Sequence, residues 1–544
     1  MSSPHERESH NHGAEKAPTP SFWSPFRHPI YRWLWIATVV ANIGGWMYIA
    51  AAGWLMTSLS ASPLLVSLVQ VASSLPMFLF ALPAGALADI FDKRRFILSL
   101  EIIVVGISVV FATLVTANLV SPQTLLLFMF FTGALAALEA PAWQAIVPRL
   151  VPKEDLSSAI AANSVGINIS RAVGPALAGV IIASFGIAAP FWLDAVSNFG
   201  VIVVFLWWRS QQIPKRSLPA ERIMSAIRVG FRYARNNRHL RATLFRSIGF
   251  FLFASAYWAL LPLVARLQLG GGPELYGLLL GAIGVGAVGG AFILPKIKVR
   301  LGANGLVVAG EIGTAVSLLL FGLSREPIMA VTASLIAGMC WIAVLANLNV
   351  SAQIALPDWV RGRGLAMYVT VFFGTMALGS ALWGEVASFT ALPTALFIAA
   401  AGALAAVPLT AHWKLQTAAG LDLTPSMHWP EPVVTENVEN DAGPVMVTVE
   451  YRIDPKYRED FLSAVEKLEY ERKRDGAYAW GIFQDTADPA RFVETFFVES
   501  WVEHLRQHHR VTNADRLLQQ KLRHFLREPP QVTHFVAADA RHER

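Results

Sequence analysis

The sequence predicts an all-α membrane protein of twelve transmembrane helices in two six-helix halves, followed by a small C-terminal α+β domain. Three observations carry this. Only 15% of the 544 residues are charged while 54% are hydrophobic, against about 25% charged for a soluble chain. The apolar residues from 31 to 413 fall into runs long enough to cross a bilayer core, which takes ~20 residues per helix. The punctuation of those runs also repeats at an offset of 205: Gly85, Lys93, Arg95, Pro152, Gly174 and Gly179 match Gly290, Lys298, Arg300, Pro357, Gly379 and Gly384. Two such halves read as a secondary transporter with its substrate path where they meet.

Taken in order, residues 1–24 form a polar tail, expected to be disordered and cytoplasmic, with no apolar signal-peptide core. His5, His10 and His12 lie in it with nothing nearby to fold around a metal. The first half is 25–208, with spans at 31–57, 63–88, 96–117, 122–143, 157–184 and 187–208. An inter-half loop, 209–238, contains Lys215, Arg216, Arg222, Arg228, Arg232, Arg235 and Arg238 among its basic residues and a helical stretch from about Glu221 to Tyr233, expected along the inner membrane surface. The second half is 239–413, with spans at 239–267, 274–295, 303–323, 327–349, 360–387 and 390–413.

Charge gives orientation. The loops holding Lys93–Arg95, Arg149 and Lys153, Lys296–Arg300, and Arg361 and Arg363 are basic. The alternate loops carry few positive charges, with Arg266 and Arg325 as exceptions. The positive-inside rule then puts both termini in the cytoplasm of a cell whose inner membrane the chain crosses repeatedly. The net charge of +6 belongs to these loops, and no basic-aromatic module points to nucleic acid. The single cysteine, Cys340, excludes an intrachain disulfide. No phosphate-cradling Gly-x-x-x-x-Gly-Lys-[Ser/Thr] sequence is present, which argues against an ATP-driven pump. No cofactor or metal is expected.

Two motifs stand out. Gly85-Ala-Leu-Ala-Asp89-Ile-Phe-Asp92-Lys93-Arg94-Arg95 places a small residue for helix approach, then a carboxylate at a span end that needs a partner. Arg171-Ala-Val-Gly174-Pro175-Ala-Leu-Ala-Gly179 puts a kink or tight packing inside span 5, with an arginine about 20 Å along the helix. Asp194 and Glu139 are the nearest acids in sequence, and Asp194 fits Arg171 better in depth. Glu311, Arg246 and Glu385 are further membrane charges, while Asn42, Gln70, Asn163 and Asn168 could line the path or join helices.

The first motif resembles the loop 2–3 signature of the major facilitator superfamily, although Asp92 replaces the usual glycine and the second-half copy has Leu294 in place of the aspartate. The resemblance implies an asymmetric cytoplasmic latch at Gly85, Asp89 and Arg95. The second resembles the superfamily's antiporter motif, implying roles for Arg171, Gly174 and Pro175. The run from Pro148 to Gly179, with Leu356 to Gly364, is similar to the enterobactin-exporter-like subgroup, also described as transmembrane secretion effectors. That implies proton-driven efflux of a small molecule (siderophore, drug or secondary metabolite) and no enzyme activity in the transporter itself.

After a proline-rich linker, 414–443, residues 444–538 read strand–helix–strand–strand–helix–strand, a ferredoxin-like order. This domain resembles small dimeric α+β barrels, whose relatives include cofactor-free monooxygenases and binding modules. Tyr478, Trp480, Trp501 and His504 could line a pocket or fill a core; His504 and His508, four apart, lack a third metal ligand in view. The expected role is regulatory or dimerising, with a fused working enzyme as the alternative. Apolar residues on both sides of the third strand, with Phe492, Phe496 and Val498 against Val493 and Phe497, predict a homodimer through the open sheet face. Residues 539–544 form a tail.

Overall fold

The computed structural model describes residues 21–538 except 209–222, 358, 417–421, 427, 430–431 and 433–437, and not the side chains of Ala86, Ala88, Asp89, Ile90, 221–229 and His509. Most of the expected N-terminal tail, most of the inter-half loop, much of the linker and the tail 539–544 therefore lie outside the described residues.

Six helices build the first half: α1 (Pro29–Leu59), α2 (Pro63–Ile90), α3 (Lys93–Thr116), α4 (Pro122–Ile146), α5 (Leu156–Phe185) and α6 (Ala189–Trp207). Their starts follow sequence grammar. Ser62, Asp92 and Ser121 each accept a backbone N–H three residues on, and Pro63 and Pro122 take first-turn positions where no donor is needed. Asp92, the departure from the family pattern, is thus the cap of α3 and accepts from the Arg95 backbone at 2.9 Å.

A short amphipathic helix, α7 (Ile223–Asn236), precedes the second half: α8 (Arg238–Leu263), α9 (Pro273–Leu323), α10 (Pro327–Ile354), α11 (Arg361–Phe389) and α12 (Leu392–Thr410). Among the described residues, eleven helices are long and apolar enough to cross a membrane, one fewer than the sequence predicts. The difference lies in α9, whose 51 residues would run far beyond the ~30 Å hydrocarbon core at 1.5 Å each. Gly302 breaks it with φ 68° and ψ 176°, a conformation open to glycine, so 273–301 and 303–323 act as two crossing segments.

With the crossings paired in this way, both chain ends emerge on one face, here called the terminal face. The opposite, distal face holds the connections around Ser60, Gly186, Gly270, Ser324 and Thr390.

The C-terminal domain holds β1 (Val445–Arg452), α13 (Arg458–Asp475), β2 (Ala479–Gln484), β3 (Arg491–Val498), α14 (Trp501–Arg510), α15 (Asn513–Arg523) and β4 (Gln531–Val536). The sheet is antiparallel in the order β2-β3-β1-β4, the ferredoxin-like arrangement. Val445, Val447, Val449, Phe492, Phe496 and Val498 face the helices and are buried. Val493 and Phe497 lie on the other face with Phe483 and Phe535, which are 60% and 48% exposed.

Part of the segment expected as a linker packs onto this domain. Ser426 N–H donates to Val511 O at 2.9 Å, and Trp429 Nε1–H donates to Gln519 Oε1 at 3.1 Å. The domain also docks on the transporter's terminal face. The Arg474 guanidinium lies 6.0 Å from the Tyr233 ring of α7, and that of Arg510 lies 4.6 Å from the Trp359 ring just before α11.

Candidate transport pathway

The two halves meet along α5 with α9 and along α2 with α11. Small residues make the first contact possible. A Cβ on Gly277 would stand 2.8 Å from Gly179 Cα, and one on Gly284 would stand 2.5 Å from Ala172 Cα. One on Gly281 would come within 3.0 Å of the Ala176 methyl. Near the distal face α11 approaches α2 the same way, with Gly384 against Ser67 and Leu64. Gly174 serves a different contact, packing against Trp46 and Ile43 of α1 within the first half. Toward the terminal face, a Cβ on Gly85 of α2 or Gly289 of α9 would meet nothing within 4 Å. The distal ends of the two halves are thus closely packed.

Beneath the distal contacts lies a small cavity of about 30 Å³, lined among others by Gly53, Gln70, Ser73, Trp258 and Tyr276. Its walls come from α1, α2, α8 and α9, so it lies between the halves. Of the polar residues weighed in the sequence, Gln70 does line it.

The membrane charges are arranged differently from the expected pairing. Arg171 does not meet Asp194 in any described contact. Its guanidinium lies 5.3 Å from the Trp46 ring, and its Nε has no hydrogen-bond partner. Asp194 is buried and held by neutral donors: Ser108 Oγ–H at 2.8 Å and Asn198 Nδ2–H at 3.0 Å. A lone buried carboxylate is expensive, and hydroxyl and amide donors from α3 and α6 meet that need without a charged partner.

Glu139 accepts from Trp143 Nε1–H, and its carboxyl lies against that of Glu101. Glu101 is buried in α3, a residue absent from the expected set. Its signal was present: a lone acid inside an otherwise apolar span. In the second half Arg246 and Glu311 are buried neighbours, with Arg246 Nε donating to Trp413 O at 3.0 Å.

Of the latch residues, Arg95 joins the first turn of α3, and the Asp89 side chain lies outside the described residues. The tie that is described belongs to Arg94, whose Nε donates to Phe205 O at 3.0 Å at the end of α6.

The family described as transmembrane secretion effector matches residues 20–543, nearly the whole chain and the C-terminal domain with it. The chain belongs to the transmembrane secretion effectors. It is a multi-pass transporter of the major facilitator type. Among relatives of this secretion effector, the staphyloferrin A transporter of Staphylococcus aureus is 26% identical over 345 residues, covering 62% of this chain and 85% of the relative. The enterobactin exporter EntS of Shigella boydii is 25% identical over 365 residues, covering 66% and 85%. In fold, it matches the nucleoside transporter NupG with a TM-score of 0.57 at 12% identity, over 71% of this chain and 98% of that one. A bacterial homolog of the human lysosomal transporter Spinster gives 0.54 at 15%, over 72% and 95%.

The C-terminal domain has its own buried polar cluster. Glu494 is fully buried and accepts from Tyr451 Oη–H at 2.7 Å, Arg472 Nε–H at 3.0 Å and Trp480 Nε1–H at 2.9 Å. The Arg472 charge, with these hydrogen bonds, outweighs burial and holds the Glu494 carboxyl below its usual range. The Arg472 guanidinium lies 4.9 Å from the Trp429 ring of the former linker. His504 meets both His508 and His534, with ring centroids 5.0 and 4.6 Å apart. His534 comes from β4, a strand distant in sequence from the His504–His508 spacing that drew attention to α14. Trp480, Trp501 and His504 lie on the covered face, whereas Tyr478 is exposed.

Proposed function

We propose that this protein is a proton-coupled exporter of a small molecule across the bacterial inner membrane, with both termini cytoplasmic. The observation that carries the reading is the inter-half contact: glycines and alanines of α5 and α9 packed backbone to backbone near the distal face. A close seam between two halves at one face is what one state of an alternating-access carrier requires. The basic loops favour the terminal face as cytoplasmic.

Proton coupling is supported by Glu101, Glu139 and Asp194. Glu101 of α3 and Glu139 of α4 stand side by side in the apolar interior, where acids are kept for a function such as proton exchange. The names of the relatives, which concern staphyloferrin A and enterobactin, favour a siderophore or a related secondary metabolite as cargo. Gly85, Asp89 and Arg95 are assigned the terminal-face latch. Arg171, Gly174 and Pro175 are assigned to the rocking of α5 against α1.

The C-terminal domain serves regulation and dimerisation. Trp429 fills space beside Arg472, which leaves the polar cluster plugged and favours a regulatory role over catalysis. The apolar sheet face of Phe483, Val493, Phe497 and Phe535 suits a second copy. Comparative metabolite profiling of culture medium with and without the gene tests the export reading. A compound that accumulates outside only when the gene is present supports it; identical extracellular and intracellular pools refute it.

A further inference from the structure

Arg266 breaks the charge rule that orients the rest of the chain: it is a cation in a distal connection. Its setting explains why one is kept there. Residues Val264–Gln268 leave α8 as a π-helical turn, closed by Leu269 N–H donating to Val264 O at 3.1 Å. Such turns are rare, re-aim side chains and cluster at functional positions. Gln268 pins the turn to its own half, its Nε2–H groups donating to Phe321 O and Ser324 O, each at 2.7 Å.

Arg266 reaches the other way. Its Nη1 lies 3.0 Å from Thr57 Oγ1 and 2.7 Å from Ser58 Oγ, both at the distal end of α1. Its guanidinium also lies 5.5 Å from the Trp54 ring, which stacks on Tyr276 at 6.0 Å. Trp54 and Tyr276 belong to opposite halves, and Tyr276 lines the pocket between them. A further hydrogen bond joins the halves nearby, from Leu64 N–H to Ser388 Oγ at 3.2 Å. It too lies near the distal face.

We infer that Arg266 is the latch of the distal gate, holding α8 to α1 above the inter-half pocket and releasing when the cargo leaves. The choice of partners fits a latch that must cycle. A guanidinium on hydroxyls gains charge-assisted hydrogen bonds, yet leaves no stranded carboxylate when it lets go. The stacked Trp54 and Tyr276 beneath it separate in the same movement, since each belongs to a different half. This inference rests on the alternating-access reading above.

The test reads gate position separately from transport. In the full-length protein with Cys340→Ser, Gln70→Cys places a thiol in the pocket. A membrane-impermeant maleimide is applied from the distal side of oriented vesicles. Arg266→Ala is expected to label at least tenfold faster than the parent, with Arg266→Lys between them. The pair Thr57→Val with Ser58→Ala keeps every charge and is expected to act like Arg266→Ala; it carries the test if the arginine variant fails to insert. Unchanged labelling in an inserted variant overturns the latch. Faster labelling in a protein that moves no cargo keeps the latch and refutes the export reading instead.

Discussion

Replacing Gly277 with alanine adds one methyl group at a tight backbone contact between the halves. The new Cβ would stand 2.8 Å from Gly179 Cα and 3.0 Å from both Gly179 N and Pro175 O. Carbon atoms in contact rest about 3.5–4.0 Å apart. All three neighbours are backbone atoms, so no rotamer change relieves the clash, and α5 must move off α9. Overpacking of this kind costs roughly 1–3 kcal/mol. The cost falls on the distal-closed state alone, because the open state has no such contact. It therefore shifts the closed-to-open ratio by about 5- to 150-fold. Gly289→Ala is the control on the same helix: its Cβ meets nothing within 4 Å, while the gain in helix propensity is common to both variants. Pulsed electron-spin distances between labels at Leu119→Cys and Ile328→Cys, distal sites 69% and 77% exposed in the two halves, read the gate directly in a Cys340→Ser background. Gly277→Ala is expected to build a longer-distance population that Gly289→Ala lacks. Identical distributions for the two variants would refute the role given to this contact.

Other consequences follow from named groups. Burial first, and the neighbouring His534 and His508 second, push His504 down to about 3. The unfolded chain takes up that proton near pH 6.5 and the folded domain does not, so stability falls as pH drops below 6.5. A fragment spanning 422–538 should lose about 2 kcal/mol between pH 8 and pH 5 in thermal melts; a flat profile contradicts the neutral, buried imidazole. Glu494→Gln strands the Arg472 charge in the domain core and should cost about 3–5 kcal/mol, read by the same melts. Asp89→Asn should cripple efflux in an inserted protein, whereas normal efflux would remove it from the latch. The same fragment should sediment as a dimer, and a transporter ending near residue 425 should keep some efflux; a monomer at high concentration, or total loss of efflux after stable insertion, would count against the accessory, dimerising domain.

Much of the architecture was legible because bilayer thickness and strand alternation impose periods that a sequence must display. Span positions, the doubled punctuation and the strand order of the C-terminal domain all followed from them. The helix running through Gly302 shows the limit. Lys296, Lys298 and Arg300 mark a loop by charge, yet they continue the helix until a left-handed glycine turns it. The site was less legible. Gly174, Gly179 and Pro175 were found because small residues and proline are conspicuous in an apolar span. What they touch was not, since Gly174 meets α1 and Gly179 meets α9. Arg171 and Asp194 matched in charge and depth, but whether two side chains meet depends on helix rotation, which an all-apolar span does not encode. Glu101 was visible as an acid in span 3, and only its neighbour Glu139 gives it meaning. The contacts of Trp429, Arg474 and Arg510 join segments distant in sequence, where no local pattern points.

The central claim is proton-driven export through a path between the two halves. Purified protein in proteoliposomes, with the compound identified from the culture medium on the terminal-face side, tests it most directly. Movement of that compound toward the distal side should require an imposed pH gradient, acidic on the distal side. It should stop when an ionophore collapses the gradient and should be strongly slowed by Glu101→Gln together with Glu139→Gln. Movement at an equal rate without the gradient, or movement that needs ATP, would contradict the account.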